Sequence, residues 1–346
     1  MLGLCFLALR RTLPAWLLVG FVALLLLAAR GSGGPPLLEA DERAQAGLRA
    51  LARQNVWSVL LVLAPLLFVQ AARLGTPAAS AWLAPTPAPR STLALALACG
   101  CFLACGAATL VAAVVSEMTL PGASTAWRRV SALANPPAVL LDDAPNVRWS
   151  VPSPAPGRRL RLATTVAIGS GPAVTARFSA RAGTRSAAVE TRVAGRTALE
   201  LEPPGSVGDT LELELERVGP GALLVLPPDA LELLAPVASE RLTALALGLR
   251  AFLCLASGCA LALGFARRMR ASLAAGLVLA LALWSWTSTS AARLVPGGDL
   301  PRAWQELGAG LVPAWAPLSS WASALVLFAL GLALWAHPSP GKEPRA

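Results

Sequence analysis

The sequence predicts a polytopic α-helical membrane protein with an inserted all-β extracytoplasmic domain, a small β-sandwich of immunoglobulin-like or jelly-roll type. Three observations lead to this fold class. The chain of 346 residues is 55% hydrophobic and 14% charged, which is too apolar for an ordinary soluble protein of this size. Long hydrophobic runs form two groups of three, within residues 1–115 and 241–346. Between them, residues 116–240 are polar, and residues 210–216 alternate apolar and acidic side chains like a half-buried strand.

The first group contains predicted spans at about residues 13–29, 56–72 and 93–115. The first run follows two arginines and is just long enough to cross a hydrocarbon layer of about 30 Å. A cleaved signal peptide has the same pattern. We favour a retained helix because more spans follow; cleavage would leave five spans. Residues 38–54 mix charged residues with Leu and Ala, which indicates a short amphipathic helix at the membrane surface.

The cysteines all lie in or beside hydrophobic runs, so the sequence predicts no disulfide framework. Cys101 and Cys105 share one helix face at i, i+4 spacing, a geometry that a soft-metal or redox site could use. Packing is the favoured interpretation, because no His or carboxylate accompanies the thiols and cysteine is a small apolar residue. We therefore expect no metal and no cofactor.

The predicted β-sandwich occupies about residues 146–236. About seven short strands are separated there by Gly- and Pro-containing turns, as in small antiparallel sandwiches. Residues 116–145 are interpreted as a connecting segment. The sandwich contains no Tyr and no His, so an aromatic platform for sugars has little support.

Three carboxylates lie on one face of one predicted strand: Glu212, Glu214 and Glu216. They are a candidate cation site. Arginines on other strands favour a solvated charged surface instead; these are Arg161, Arg177 and Arg181.

The second group contains predicted spans at about residues 242–266, 272–292 and 319–336. The first of these contains Arg250, whose charge is costly in a membrane unless it faces a polar interior or snorkels to the interface. Both alternatives remain open from the sequence. A set of residues with helical spacing precedes Pro317 and predicts a short helix in the outer interface; the set is Trp304, Leu307, Leu311 and Trp315.

Charge predicts the orientation of the spans. With the amino terminus inside, the inner segments hold nine basic residues and one acidic residue, out of totals of 29 and 19. The positive-inside rule then favours a multi-pass protein of the cell (inner) membrane, with both termini cytoplasmic and the β-domain outside. Because the basic residues follow the membrane rather than one soluble face, the net charge of +10 does not indicate a nucleic-acid partner.

The loop after the second predicted span contains a Gly-Thr pair, then Leu-x-x-x-Pro, then Arg. With six spans, this loop resembles that of the membrane subunit of ABC-2-type exporters. The resemblance implies that the loop contacts a separate ATPase through Arg73, Gly75, Thr76, Leu83, Pro87 and Arg90, and that residues 304–315 correspond to the short outer helices of the family. The chain departs from the family pattern in two ways. Gln70 and Ala71 stand where an acidic residue is usual, and a β-domain follows the third span.

An ATPase within the chain is excluded, because no Gly-x-x-x-x-Gly-Lys-Ser/Thr loop occurs and Lys342 is the single lysine. The predicted function is a membrane permease subunit of an ATP-driven ABC-2-like exporter. The ATPase would be a separate chain, and a homodimer or a paralogous permease would line the path. The alternative is a membrane-anchored structural or assembly protein that displays the β-sandwich for protein or glycan binding. No catalytic residues are spaced for an enzyme.

Overall fold

The computed structural model describes residues 2–31, 42–80, 89–119, 126–167, 169–171, 173–204, 210–237, 241–288 and 295–337. The chain divides into two compact units. Met1–Ser124 and Ser239–Ala346 form a helical unit, and Thr125–Ala238 forms a β unit.

The described part of the helical unit contains the following helices: α1 (Leu2–Thr12), α2 (Ala15–Gly31), α3 (Glu42–Gly75), α4 (Pro77–Ser80), α5 (Arg90–Thr119), α6 (Arg241–Phe265), α7 (Ala271–Thr287), α8 (Leu300–Gly308) and α9 (Leu318–Ala336). Among the residues that the structure describes, four segments are long and apolar enough to cross a membrane: Ala50–Gly75, Arg90–Met118, Thr243–Phe265 and Leu318–Ala336. Helices α1 and α2 pass the same test only together, as a pair bent by 54°. Helix α7 is apolar but has only 17 residues.

The predicted first and second spans differ from the observed helices. Pro14 separates α1 from α2 because it has no N–H for the helical ladder, so the predicted first run is one arm of a bent pair. The predicted amphipathic helix at residues 38–54 is wrong as a separate element. Its described part continues into the second run as one helix, α3, since nothing between Gln54 and Val56 breaks a helix. The residues before Glu42 lie outside the described part of the chain.

Helix α6 lies at the centre of the helical unit, where it packs against α3, α5, α7, α8 and α9. Small residues make these contacts close. A Cβ on Gly258 would overlap the ring of Phe68 from α3. Where α6 crosses α9, a Cβ on Gly264 would lie 3.0 Å from the Cα of Gly331. The backbone of α6 is therefore in direct contact with its neighbours.

The described part of the β unit contains these strands: β1 (Ala126–Leu133), β2 (Ala138–Leu140), β3 (Asn146–Pro152), β4 (Arg159–Val166), β5 (Val174–Ala182), β6 (Arg185–Val193), β7 (Arg196–Leu201), β8 (Thr210–Val218), β9 (Leu224–Leu226) and β10 (Leu231–Val237). They form a six-stranded and a four-stranded antiparallel sheet. One hydrophobic cluster contains inward side chains of both sheets, including Leu160, Leu231, Phe178 and Leu213. The two sheets therefore pack face to face.

The six-stranded sheet contains two interrupted strands. The pairing of β1 with β10 and that of β2 with β9 share one register, because Leu133 is opposite Leu231 and Ala138 is opposite Leu226. The prolines at 136, 137, 227 and 228 interrupt both strands at the same level. Asn135 bridges the gap: its Nδ2 donates to Pro227 O at 2.9 Å, and its Oδ1 accepts from the Ala230 and Leu231 N–H groups at 2.7 and 3.1 Å.

When β1 and β2 are counted as one interrupted strand, and β9 and β10 as another, the described strands occupy eight positions with nested pairing. The first position pairs with the last (β1 and β2 with β10 and β9), β3 with β8, β4 with β7, and β5 with β6. The sheet begins at Ala126, earlier than the predicted start near residue 146. A register shift between Arg129 and Ser131 disturbs the alternation of β1 that the sequence would otherwise show.

Candidate functional site

Arginines cluster at one end of the helical unit. Helix α3 ends there and α5 begins there, with Arg73 and Arg90 exposed. The end of α6 lies at the same place, because Gly75 of α3 contacts Leu263 and Ala266. Burial lowers the pKa of Arg267 there, and the positive charge of Arg90 lowers it further. The Arg267 guanidinium also lies over the Trp335 ring of α9, 5.2 Å from its centroid. We call this surface the basic end; it also carries Arg268 and Arg270.

The predicted coupling loop begins at the basic end. A Cβ on Gly75 would overlap Leu263 O and lie 3.1 Å from Ala266 Cβ, so the end of α3 is seated directly on α6. Thr76 continues from this seat, and its Oγ1 donates to Arg73 O at 2.8 Å. Leu83 and Pro87 lie outside the described residues. Of the six residues predicted to contact an ATPase, the structure describes four near the basic end: Arg73 and Arg90 are exposed, Thr76 is half-buried, and Gly75 is buried against α6.

Arg250 is held by the segment that precedes α9. Its side chain is 5% exposed, and its Nη1 lies 2.7 Å from Asp299 Oδ2 and donates to Asp299 O at 3.2 Å. Its Nε and Nη2 donate to Ala314 O at 3.1 and 2.8 Å, and Nη2 also reaches Trp315 O at 3.4 Å. Arg250 is therefore buried against this segment and clamps residues 299–315 onto α6.

The predicted outer interfacial helix is shorter than expected. Helix α8 contains Trp304 and Leu307 but ends at Gly308. The Gly310 and Leu311 N–H groups bond Leu307 O and Glu306 O, and Gly310 has φ +75°, which together form a Schellman ending. Leu311 and Trp315 therefore do not share one helical face with Trp304, as the spacing predicted. Leu307 and Leu311 are buried, whereas Trp315 is exposed.

A groove of about 140 Å³ lies between α2 and α3. Its lining is apolar throughout: Trp16, Leu17, Gly20, Phe21, Leu24, Val59, Val62, Leu63 and Leu66. A Cβ on Gly20 would meet nothing within 4 Å, so this glycine leaves open space there. Sequence reasoning missed the groove because all of these residues are typical of any membrane helix.

Two cysteines meet between α5 and α6, where Cys105 Sγ and Cys259 Sγ are 3.7 Å apart and both residues are fully buried. Cys101 lies one turn before Cys105 in α5, as the i, i+4 spacing predicts, and contacts Thr12 Oγ1 at 3.5 Å. No group of three or more His, Cys, Asp or Glu residues suited to a metal is found within the described ranges. The thiols are part of the packed core of the helical unit.

The three carboxylates of β8 are each opposed by arginines. Glu216 is opposite Arg177, Glu212 is opposite Arg181, and Glu214 accepts from Arg148 Nη2 at 2.8 Å. Arg161 does not belong to this face, because β4 is in the other sheet. The outward face of the four-stranded sheet is thus a mixed charged surface rather than an acidic site.

No protein-family model matches the chain, and no curated protein matches it either. The functional assignment therefore depends on the basic end, the Arg250 clamp and the faces of the β unit.

Proposed function

We propose that the chain is a multi-pass membrane protein that serves as the permease subunit of an ATP-driven, ABC-2-like exporter, with the ATPase supplied by a separate chain. The observation that carries this proposal is the basic end. The loop between α3 and α5 starts and finishes there, beside the ends of α6 and α9. A cytoplasmic ATPase would contact this surface.

Two properties of the basic end support coupling. Its arginines are those expected on the cytoplasmic side of a membrane protein. Gly75 also seats the end of α3 on the α6 backbone without an intervening side chain. A displacement of the loop by an ATPase would therefore pass directly to α6, the helix on which five others pack.

The proposed orientation puts both termini in the cytoplasm, the β unit outside the cell (inner) membrane, and two permease copies or paralogues around the path. The nested pairing of eight strand positions supports a double-sheet jelly roll for the β unit. The apolar groove between α2 and α3 supports a substrate with a hydrocarbon part, since no polar side chain in its lining would bind a hydrophilic group.

Co-purification with a partner ATPase tests the proposal. The full chain, extracted from its native membrane in mild detergent, should recover a nucleotide-binding protein, and the double variant Arg73→Glu, Arg90→Glu should lower that recovery and the partner's ATPase rate. The matched control is Arg148→Glu, Arg177→Glu, which reverses two exposed arginines of the β unit. Recovery of no nucleotide-binding protein, or equal effects of both variants, would refute the permease assignment.

A second candidate is a membrane-anchored structural or assembly protein that displays the β unit for protein or glycan binding. The specific observation in its favour is that the β unit has its own hydrophobic core and that its first strand pairs with its last, with Ala126 opposite Val237. It predicts that the segment 126–237 folds alone and retains a ligand without the helices. Loss of every ligand from the folded segment would argue against this candidate.

A further inference from the structure

The outward face of the six-stranded sheet carries three arginines on two strand positions. Arg129 lies on β1, and Arg159 and Arg161 lie on β4, with β10 between them. The register places Leu234 of β10 opposite both Arg129 and Arg159. Leu234 is 0% exposed although it points outward, and long arginine stems beside it are able to cover an apolar residue in this way. The three arginines therefore lie on one outward patch, in which Arg129 and Arg159 are 32% and 39% exposed and Arg161 is largely buried.

Carboxylates neutralise this patch only partly. Glu232 pairs with Arg129 Nη2, but Glu200 lies 3.8 Å from Arg161 Nε and 3.9 Å from Arg159 Nη1, beyond hydrogen-bond length. Arg196 of β7, which is opposite Thr165 of β4, adds a positive charge. Glu202, which directly follows β7, is exposed and adds a negative charge. Burial lowers the pKa of Arg161; Glu200 and Glu232 oppose this change, whereas Arg129 and Arg196 add to it.

Several N–H groups of the patch are buried without an acceptor. Arg161 is 12% exposed, and its Nη1 has no hydrogen-bond partner in the described part of the chain. The same is true of Arg129 Nε. Arg159 is fixed against the Trp127 ring, with its Cζ 4.3 Å from the ring centroid. A buried guanidinium donor without an acceptor is costly.

The same unit contains a buried arginine with satisfied donors. Arg217 pairs with Asp142 and donates to Ala222 O and Gly221 O at 3.1 and 2.8 Å. Arg217 therefore needs no ligand, whereas the Arg129 and Arg161 donors lack acceptors. The Arg129 and Arg161 donors are therefore available to a ligand that supplies oxygen atoms.

We propose that the patch formed by Arg129, Arg159 and Arg161, stiffened by Trp127, binds one phosphate-type anion. A phosphate group has enough oxygen atoms to accept from three guanidinium groups, and the planar fork of arginine suits it. The anion is either the headgroup of an anionic lipid or free phosphate. This inference does not depend on the transport proposal, because every residue that carries it lies in the β unit.

The test uses the full chain in phosphatidylcholine nanodiscs, titrated with inorganic phosphate at constant ionic strength and followed by calorimetry. Saturable binding is expected, and Arg161→Gln should weaken it by about tenfold, the effect of one charged hydrogen bond. Arg177→Gln, on the other sheet, is the control and should leave the affinity unchanged. Glu200→Gln should tighten binding several-fold, because it removes a competing carboxylate; this variant keeps the test valid if Arg161→Gln does not fold.

Repeating the titration in phosphatidylglycerol nanodiscs identifies the source of the anion. A weaker apparent phosphate affinity there than in phosphatidylcholine means that the lipid headgroup competes for the site, and an equal affinity means that free phosphate is the ligand. Either result supports the site. Absence of saturable binding by the wild-type chain in phosphatidylcholine nanodiscs, equal losses in Arg161→Gln and Arg177→Gln, or no tightening in Glu200→Gln would overturn it.

Discussion

Replacement of Arg250 by Met tests whether this residue clamps residues 299–315 onto α6. Met keeps much of the apolar stem but removes the guanidinium, which now bonds Asp299 and the carbonyl oxygens of Ala314 and Trp315. Asp299 would lose its cationic partner, and its Oδ1 is already buried and without a partner among the described residues. The variant should therefore loosen residues 299–315 from α6.

The expected cost follows from the burial of the pair. Removing one partner of a buried ion pair costs about 3–5 kcal/mol. Because Asp299 is 24% exposed and water can replace part of the lost contact, we expect the lower end, about 3 kcal/mol. Arg302→Met is the comparison: this arginine is 68% exposed and lies 3.4 Å from Glu306, which is 7% exposed. Because the arginine itself stays largely in water, its loss should cost less, about 1 kcal/mol.

The assay is the free energy of unfolding of the full chain in detergent, together with protease cleavage within residues 309–317. A double-mutant cycle with Asp299→Asn isolates the ion pair, and we expect a non-additive term of about 1–3 kcal/mol. Additive effects of the two substitutions, or equal costs for Arg250→Met and Arg302→Met, would refute the clamp. Unchanged protease cleavage in Arg250→Met would contradict the role of Arg250 in holding residues 299–315 against α6.

Three further substitutions test particular contacts. Gly75→Ala should destabilise the helical unit by about 1–3 kcal/mol, because the added Cβ would overlap Leu263 O. Gly20→Ala is the control and should be nearly neutral, since a Cβ there meets open space. Thermal unfolding in detergent compares the two variants, and equal effects would exclude close contact of α3 with α6. Asn135→Ala removes the bridge between the interrupted strands and should cost about 1–3 kcal/mol, compared with Asn146→Ala, whose bond to Glu214 is exposed; hydrogen exchange at Ala230 and Leu231 should rise only in the former. Arg217→Met removes the bonds of a buried guanidinium to Asp142, Ala222 O and Gly221 O. Because Asp142 is 85% exposed and stays solvated, the cost should be about 1–3 kcal/mol, and a cost as small as that of exposed Arg177→Met would contradict this role.

The long helices and the best strands follow from local patterns. Length and hydropathy predict α5, α6 and α9 closely, because each is a continuous apolar run of the length that a membrane span would need. The alternation in residues 210–216 predicts β8, whose leucines are buried and whose glutamates face outward. In both cases one physical requirement acts on consecutive residues, so the sequence alone carries the signal.

Other features depend on distant residues. The register of β1 is set by β10, more than a hundred residues away, and the shift after Arg129 hides its alternation. The partners of Arg250 lie at positions 299, 314 and 315, so the sequence could mark the buried charge but not decide what holds it. The Gly-Thr motif identifies Gly75 in the sequence, but the need for a glycine at this position comes from its contact with Leu263 of α6. The arginine patch was missed because its members are dispersed over β1 and β4.

The nested strand order has a consequence for modularity. Ala126 and Val237 are the first and last residues of the described β unit and stand opposite each other in one ladder, so the two ends of this insertion are about 5 Å apart. A domain with adjacent ends is replaceable by a short connection without stretching the flanking chain. The β unit is therefore built as an exchangeable cassette: its removal through a two-residue turn would leave both sets of helices covalently joined, and a different domain with adjacent ends would fit the same position.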